Sequence, residues 1–149
     1  MNINNKRKTR TLKRLFYLVG LFIAIAALIL FFINILYVLY SIGIFSLWYL
    51  YFHVADYHYI EFSADNNKIL LRYYKAIKLG GTEFNAIEFP REALQQVYFE
   101  NSVFGKLTDI TIIVKTKRGP AEYPSVSLTA VSHADRLKMQ TVLNEIMNK

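Results

Sequence analysis

The chain has 149 residues, room for one domain or for an anchor with a small domain behind it. Apolar residues make up 54% of it, more than the roughly 45–50% of soluble domains. The charge of +7 is local: Lys6, Arg7, Lys8, Arg10, Lys13 and Arg14 carry six positive charges with no acid among them, whereas His53–Lys149 holds 12 Lys/Arg against 11 Asp/Glu. That argues against a nucleic-acid domain, which carries its charge on a folded surface, and the lack of any cysteine excludes disulfides, thiolate catalysis and thiolate metal sites.

In chain order, residues 1–14 read as a basic cytoplasmic tail. Such a tail fixes topology and touches anionic lipid heads, so all six of its basic side chains are candidate membrane-surface contacts. Leu15–Phe52 follows, 38 residues without a charged side chain. About 20 helical residues cross a bilayer once, so the run is nearly twice too long for one helix, and tilt does not absorb the excess. Two crossings with a tight turn fit better, at about 15–33 and 36–52. Tyr17 near the start and Trp48, Tyr49 and Tyr51 near the end suit the membrane–water interface, and Asn34, Tyr37, Tyr40, Ser41 and Gly43 cluster where a turn would reach the far side. A single crossing followed by a surface segment is the alternative. The run is too long for a secretory signal, whose apolar region spans about 7–15 residues. Asn34 can mark the turn or bond across helices; the turn is the expectation.

Six positive charges before the first crossing put the N-terminus in the cytoplasm. Two crossings return the domain after His53 to that side; one would face it outward. The expectation is a protein integral to the cytoplasmic (inner) membrane, with its N-terminus and C-terminal domain in the cytoplasm.

Residues 53–149 read as a β domain. Tyr57–Phe62 and Lys68–Tyr74 are strand-like runs joined by Ser63-Ala64-Asp65-Asn66-Asn67, a hairpin signal. Residues 78–82 read as a loop, Phe84–Phe89 as a strand, and Pro90–Leu94 as a short helical turn. Gln95–Asn101 and Leu107–Thr116 alternate as strands; a turn at residues 117–120 leads to short strands at Ala121–Tyr123 and Val126–Ala130. Ser132 with Asp135 starts a helix, and Met139, Val142, Leu143, Ile146 and Met147 form its apolar face. The fold class is α+β: a transmembrane hairpin, then six or seven antiparallel strands covered by one C-terminal amphipathic helix.

Tyr59-Ile60-Glu61-Phe62 with Lys68-Ile69-Leu70-Leu71, Ile87-Glu88-Phe89-Pro90 leading through Leu94 to Val97-Tyr98-Phe99, and Tyr123–Leu128 running into the Ser132 helix carry a resemblance. In this order they resemble a bacterial pleckstrin-homology-like domain behind a membrane anchor, over roughly residues 56–148. The resemblance implies an antiparallel β-roll or barrel plugged by the helix, and a small cytoplasmic module usually without known catalysis. Eukaryotic domains of this fold often bind phosphoinositides through basic residues at the first hairpin. Here that loop offers only Lys68 at its edge, so headgroup recognition there does not carry over.

Possible chemistry is sparse. His53, Asp56 and His58 lie close in sequence and could ligate a metal, but zinc wants three or four ligands; a polar junction at the headgroups is the favoured reading. Ser132, His133 and Asp135 are helix-start neighbours that do not point at one another as a triad requires, so capping is expected. Gly80-Gly81 lacks a phosphate-loop pattern and reads as a turn. Lys115, Lys117 and Arg118 form a basic tip, either against anionic lipid or a solvated hairpin end. The expected function is a non-enzymatic interaction module, without catalytic residues, cofactor, metal or evident small-molecule substrate, that holds a protein partner or a second copy at the membrane. The alternatives are a lipid- or membrane-surface-binding accessory domain and an enzyme of unknown type.

Overall fold

The charge-free run folds as two long helices in a computed structural model of the chain, which describes residues 1–65, 67–78, 83–102 and 107–148. Helix α1 is Lys6–Phe31 (26 residues) and α2 is Ile35–Ala55 (21 residues). At about 1.5 Å per residue they are about 39 and 32 Å long. Both are long and apolar enough to cross a membrane.

The helices form an antiparallel hairpin. Near its base the Phe16 ring packs edge-on against Phe52, 5.2 Å between centroids, and further along Gly20 lies beside Phe45, where a Cβ would meet the ring at 3.4 Å. At the tip Asn34 takes the turn: its Oδ1 accepts from the Leu36 amide at 2.9 Å and caps α2. Only 6% of the most apolar stretch of α1 and 11% of that of α2 is buried. A core helix of a soluble protein hides such side chains; these point outward, as Phe22, Leu28, Tyr40 and Leu47 do.

Residues 1–14 are not a tail. Asn2–Asn4 is a strand, β1, and α1 begins at Lys6, so all six basic side chains ride on its first turns. Lysine and arginine are good helix formers, and nothing in that stretch breaks a helix.

Beyond α2 come β2 (His58–Ala64), β3 (Lys68–Lys75) and β4 (Asn85–Pro90), a single 3-10 turn at Arg91–Ala93, then β5 (Leu94–Ser102), β6 (Leu107–Thr116), β7 (Gly119–Glu122), β8 (Val126–Ser127) and α3 (His133–Met147). The sheets do not form the closed roll expected from sequence. Two four-stranded antiparallel sheets form instead, one ordered β1-β2-β3-β4, the other β5-β6-β7 with β8 also on β6. The chain changes sheet at Pro90–Ala93, and β5 takes its partner from β6 rather than β4. Sequence leads to an expectation of six or seven strands; β1, paired to β2 with Ile3 opposite Phe62, makes eight among the described residues.

Alternation sets the inner faces. Ile60, Phe62, Ile69 and Leu71 of the first sheet meet Ile110 and Ile112 of the second, all fully buried or nearly so. Helix α3 covers this core with Met139, Leu143 and Ile146, as its spacing requires. Ser132 caps α3: its Oγ accepts from the Asp135 amide at 3.1 Å and its hydroxyl donates to the Asp135 carboxylate at 2.7 Å. Ser132→Ala is expected to cost about 1 kcal/mol in denaturant unfolding, the usual loss for a serine cap.

Candidate functional site

Hairpin and sheets meet at one place, and two residues shape it. Asn5, 8% exposed, closes the gap between β1 and α1. Its Nδ2 donates to the His58 carbonyl at 2.9 Å, and its Oδ1 accepts from the Ile60 amide at 2.8 Å. A side-chain amide carries one donor group and one acceptor, so it mimics a strand residue where α1 has already left the sheet. Asp56 does the corresponding work at the end of α2. Its backbone is left-handed, φ 41°, which turns the chain into β2; Asp tolerates this conformation better than most residues.

Below Asp56 lies a cavity of about 630 Å³, lined among others by Tyr49, His53, Asp56, His58, Lys75 and Lys78. The register that sets His58 opposite Lys75 brings the lysine in. Lys75 Nζ is 2.9 Å from the Asp56 carboxylate, and Lys78 Nζ is 2.6 Å from Glu83. That pairing holds the Glu83 carboxyl below its usual range, with the Lys78 hydrogen bond the largest cause. The Tyr49 ring stacks on His53, 6.1 Å between centroids and 15° between planes. The His58 side chain is only 8% exposed. Its Nδ1 lies 2.8 Å from the Asp56 carbonyl. A carbonyl only accepts, so Nδ1 carries the proton, and in the neutral ring Nε2 is left as an acceptor.

The structure thus brings His53, Asp56 and His58 to one cavity. Among the described residues no group of three His, Cys, Asp or Glu is arranged to hold a metal ion. Its polar side chains hydrogen-bond and ion-pair with one another.

Tyr57, just after the Asp56 corner, packs on Phe52 and lies 3.3 Å, oxygen to oxygen, from the Tyr51 hydroxyl. Burial, reinforced by the Tyr51 hydrogen bond, pushes its phenol up from 10.0 to about 12. The folded value is the higher one, so this contribution to stability is complete below pH 10.0 and is lost as pH rises toward about 12. Titrating tyrosinate absorbance should show a step near pH 12 that Tyr57→Phe removes.

The two basic groups read from sequence are not brought together. Lys6–Arg14 surround the hairpin base, where Arg10, Lys13 and Arg14 border a shallow hollow with Tyr17 and Leu18. The Lys115–Arg118 turn sits at the other end of the domain, beside Glu92 and Leu94, which follow the Pro90 end of β4. Between that end and His58 runs β3, seven residue steps from Lys75 to Lys68, about 23 Å at about 3.3 Å per step. The Ser63–Asn67 hairpin shares that far end, with Asn66 outside the described residues, and Lys68 there is paired with Glu88 at 2.8 Å. Ser132 and Asp135 are engaged in the α3 cap, and His133 is exposed. Gly80 and Gly81 lie outside the described residues.

Sequence reading missed Asn5, Lys75, Lys78 and Glu83 as site residues. The Tyr49–His53 pair, four apart on a helix, was the available signal for stacking. No protein-family model, curated protein or solved structure matches this chain.

Proposed function

We propose that the chain is a hairpin-anchored β module that crosses the bilayer twice and holds a protein partner at the membrane, without catalysing a reaction itself. The observation that carries the two crossings in this reading is the Asn5 latch. It ties the start of α1 to the strand that follows α2. With a single crossing, β1 and β2 would lie on opposite sides of about 30 Å of hydrocarbon and could not pair. The six basic residues at the hairpin base favour the cytoplasmic side of the cytoplasmic membrane. Trp48, Tyr49 and Tyr51, in the last turns of α2, suit the interface beneath the domain.

Element order supports the pleckstrin-homology-like reading: a first antiparallel sheet, a corner, a second sheet, and a C-terminal helix over the core. The partner then meets the domain on surfaces away from the hairpin. Exposed Tyr98 on β5 and Glu92 at the far corner are suitable probe positions. A photoreactive residue placed at each, in the full chain within its own membrane, should give a discrete cross-linked species. Absence of any adduct from both positions contradicts the partner-holding role.

A further inference from the structure

The junction cavity has an apolar neighbour in the hairpin, with Tyr49 as the shared wall. Between α1 and α2 runs a second, almost wholly apolar crevice of about 490 Å³, bordered by Tyr17, Gly20, Ala24, Ser41, Phe45 and Tyr49. Tyr49 lines both spaces. Ile42, Phe45, Tyr49, His53 and Asp56 are spaced three or four apart, so they form one stripe along α2 and its cap. That stripe is oily at one end and polar at the other, which is the profile of an amphiphile standing with its head at the helix–sheet junction.

The polar end states what head it suits. Lys75 and Lys78 face Asp56 and Glu83, two cations against two anions. A ligand with net negative charge would leave the carboxylates opposed to it; one carrying both signs can exchange with both pairs. His58 adds a sharper demand. More than nine-tenths of its side chain is buried, its Nδ1 proton is held by the Asp56 carbonyl, and Nε2 meets no protein partner among the described residues. In the neutral ring that nitrogen accepts and would take an N–H donor, which a primary ammonium has and a quaternary one lacks. Both volumes fall within the usual span of ligand sites, about 300–1,000 Å³.

We infer that the chain holds a single phospholipid with a primary-amine headgroup, of the phosphoethanolamine type. One acyl chain lies in the crevice beside Gly20. The phosphate sits between Lys75 and Lys78, and the ammonium lies against Glu83 and His58 Nε2. This inference rests on α1 and α2 lying in a bilayer. It accounts for the polar cavity at the helix–sheet junction and the apolar crevice beside it.

The test uses full-length protein in nanodiscs made from equal parts of phosphatidylethanolamine, phosphatidylcholine and phosphatidylglycerol, with retained lipid read by native mass spectrometry. Phosphatidylethanolamine should be retained about five- to tenfold over the other two, as expected of a few charge-assisted contacts. Glu83→Gln should bring that preference toward parity. Gly20→Leu, which fills the crevice, should abolish retention. Lys78→Ala, on the exposed rim, repeats the test without touching the hairpin. Equal retention of phosphatidylcholine, preference for phosphatidylglycerol, or retention unchanged in both Glu83→Gln and Lys78→Ala overturns the inference. Carbonate extraction of the wild-type chain from its membrane would instead overturn the bilayer reading, a result distinguishable from loss of lipid preference.

Discussion

Asn5→Leu is expected to destabilise the folded chain by about 2–4 kcal/mol and to free the N-terminal strand. Leucine has a similar size but neither donor nor acceptor. The change strips the Ile60 amide and the His58 carbonyl of their side-chain partner at a buried position. Each buried backbone group left unpaired costs about 1–3 kcal/mol. The flanking ladder is three residues long and cannot hold alone. Denaturant unfolding reads the energy. A cross-strand thiol pair reads the geometry: Asn4→Cys with Glu61→Cys are register partners and should form a disulfide in the otherwise native chain. Adding Asn5→Leu should sharply reduce its yield. A loss below about 0.5 kcal/mol, the range of an ordinary surface change, would mean that the latch does not hold the strand.

The second large effect is in the core. Phe62 is fully buried, paired across one edge with Ile3 and across the other with Leu71. Phe62→Ala removes contacts to both neighbouring strands at once and leaves a cavity that two sheets cannot both collapse into. The expected cost is about 3–5 kcal/mol, a large part of the roughly 5–15 kcal/mol that holds a typical domain together. Thermal unfolding and protease susceptibility of the detergent-solubilised chain measure it. Tyr98→Ala, on the exposed face of β5, serves as the control and should stay within about 0.5 kcal/mol.

The parts of this fold that were legible from residues are those with a local period. The length of the uncharged run called for two helices, and Asn34 fell at their turn. Alternation in Lys68–Tyr74 and Leu107–Thr116 located β3 and β6, and the spacing of Met139, Leu143 and Ile146 defined the covering face of α3. What escaped was non-local. A strand of three residues has too few positions to show a period, so β1 was hidden in a polar start. The first turn of α1 was hidden for a different reason: charge marks a topological boundary but does not end a helix. The division into two sheets depends on whether β5 bonds to β4 or β6, a choice made by packing across the core rather than by either strand.

The site shows the same limit. His53, Asp56 and His58 could be grouped because they are neighbours in sequence. Lys75 and Lys78 join them only through the hairpin register that places His58 opposite Lys75. The basic tip at Lys115–Arg118 and the basic start were both candidate membrane contacts by composition, yet the length of β3 holds the two apart. Charge counts carry no such distance.

Because the chain has no cysteine, one introduced thiol is unique and its membrane side can be read with an impermeant reagent. Asn4→Cys in β1, Ile33→Cys at the hairpin tip and Asn144→Cys on α3 are all exposed positions. Positions 4 and 144 should label from the same side of the membrane, and position 33 from the other. Labelling of 4 and 144 from opposite sides would mean that β1 and β2 are not neighbours in the membrane-bound protein.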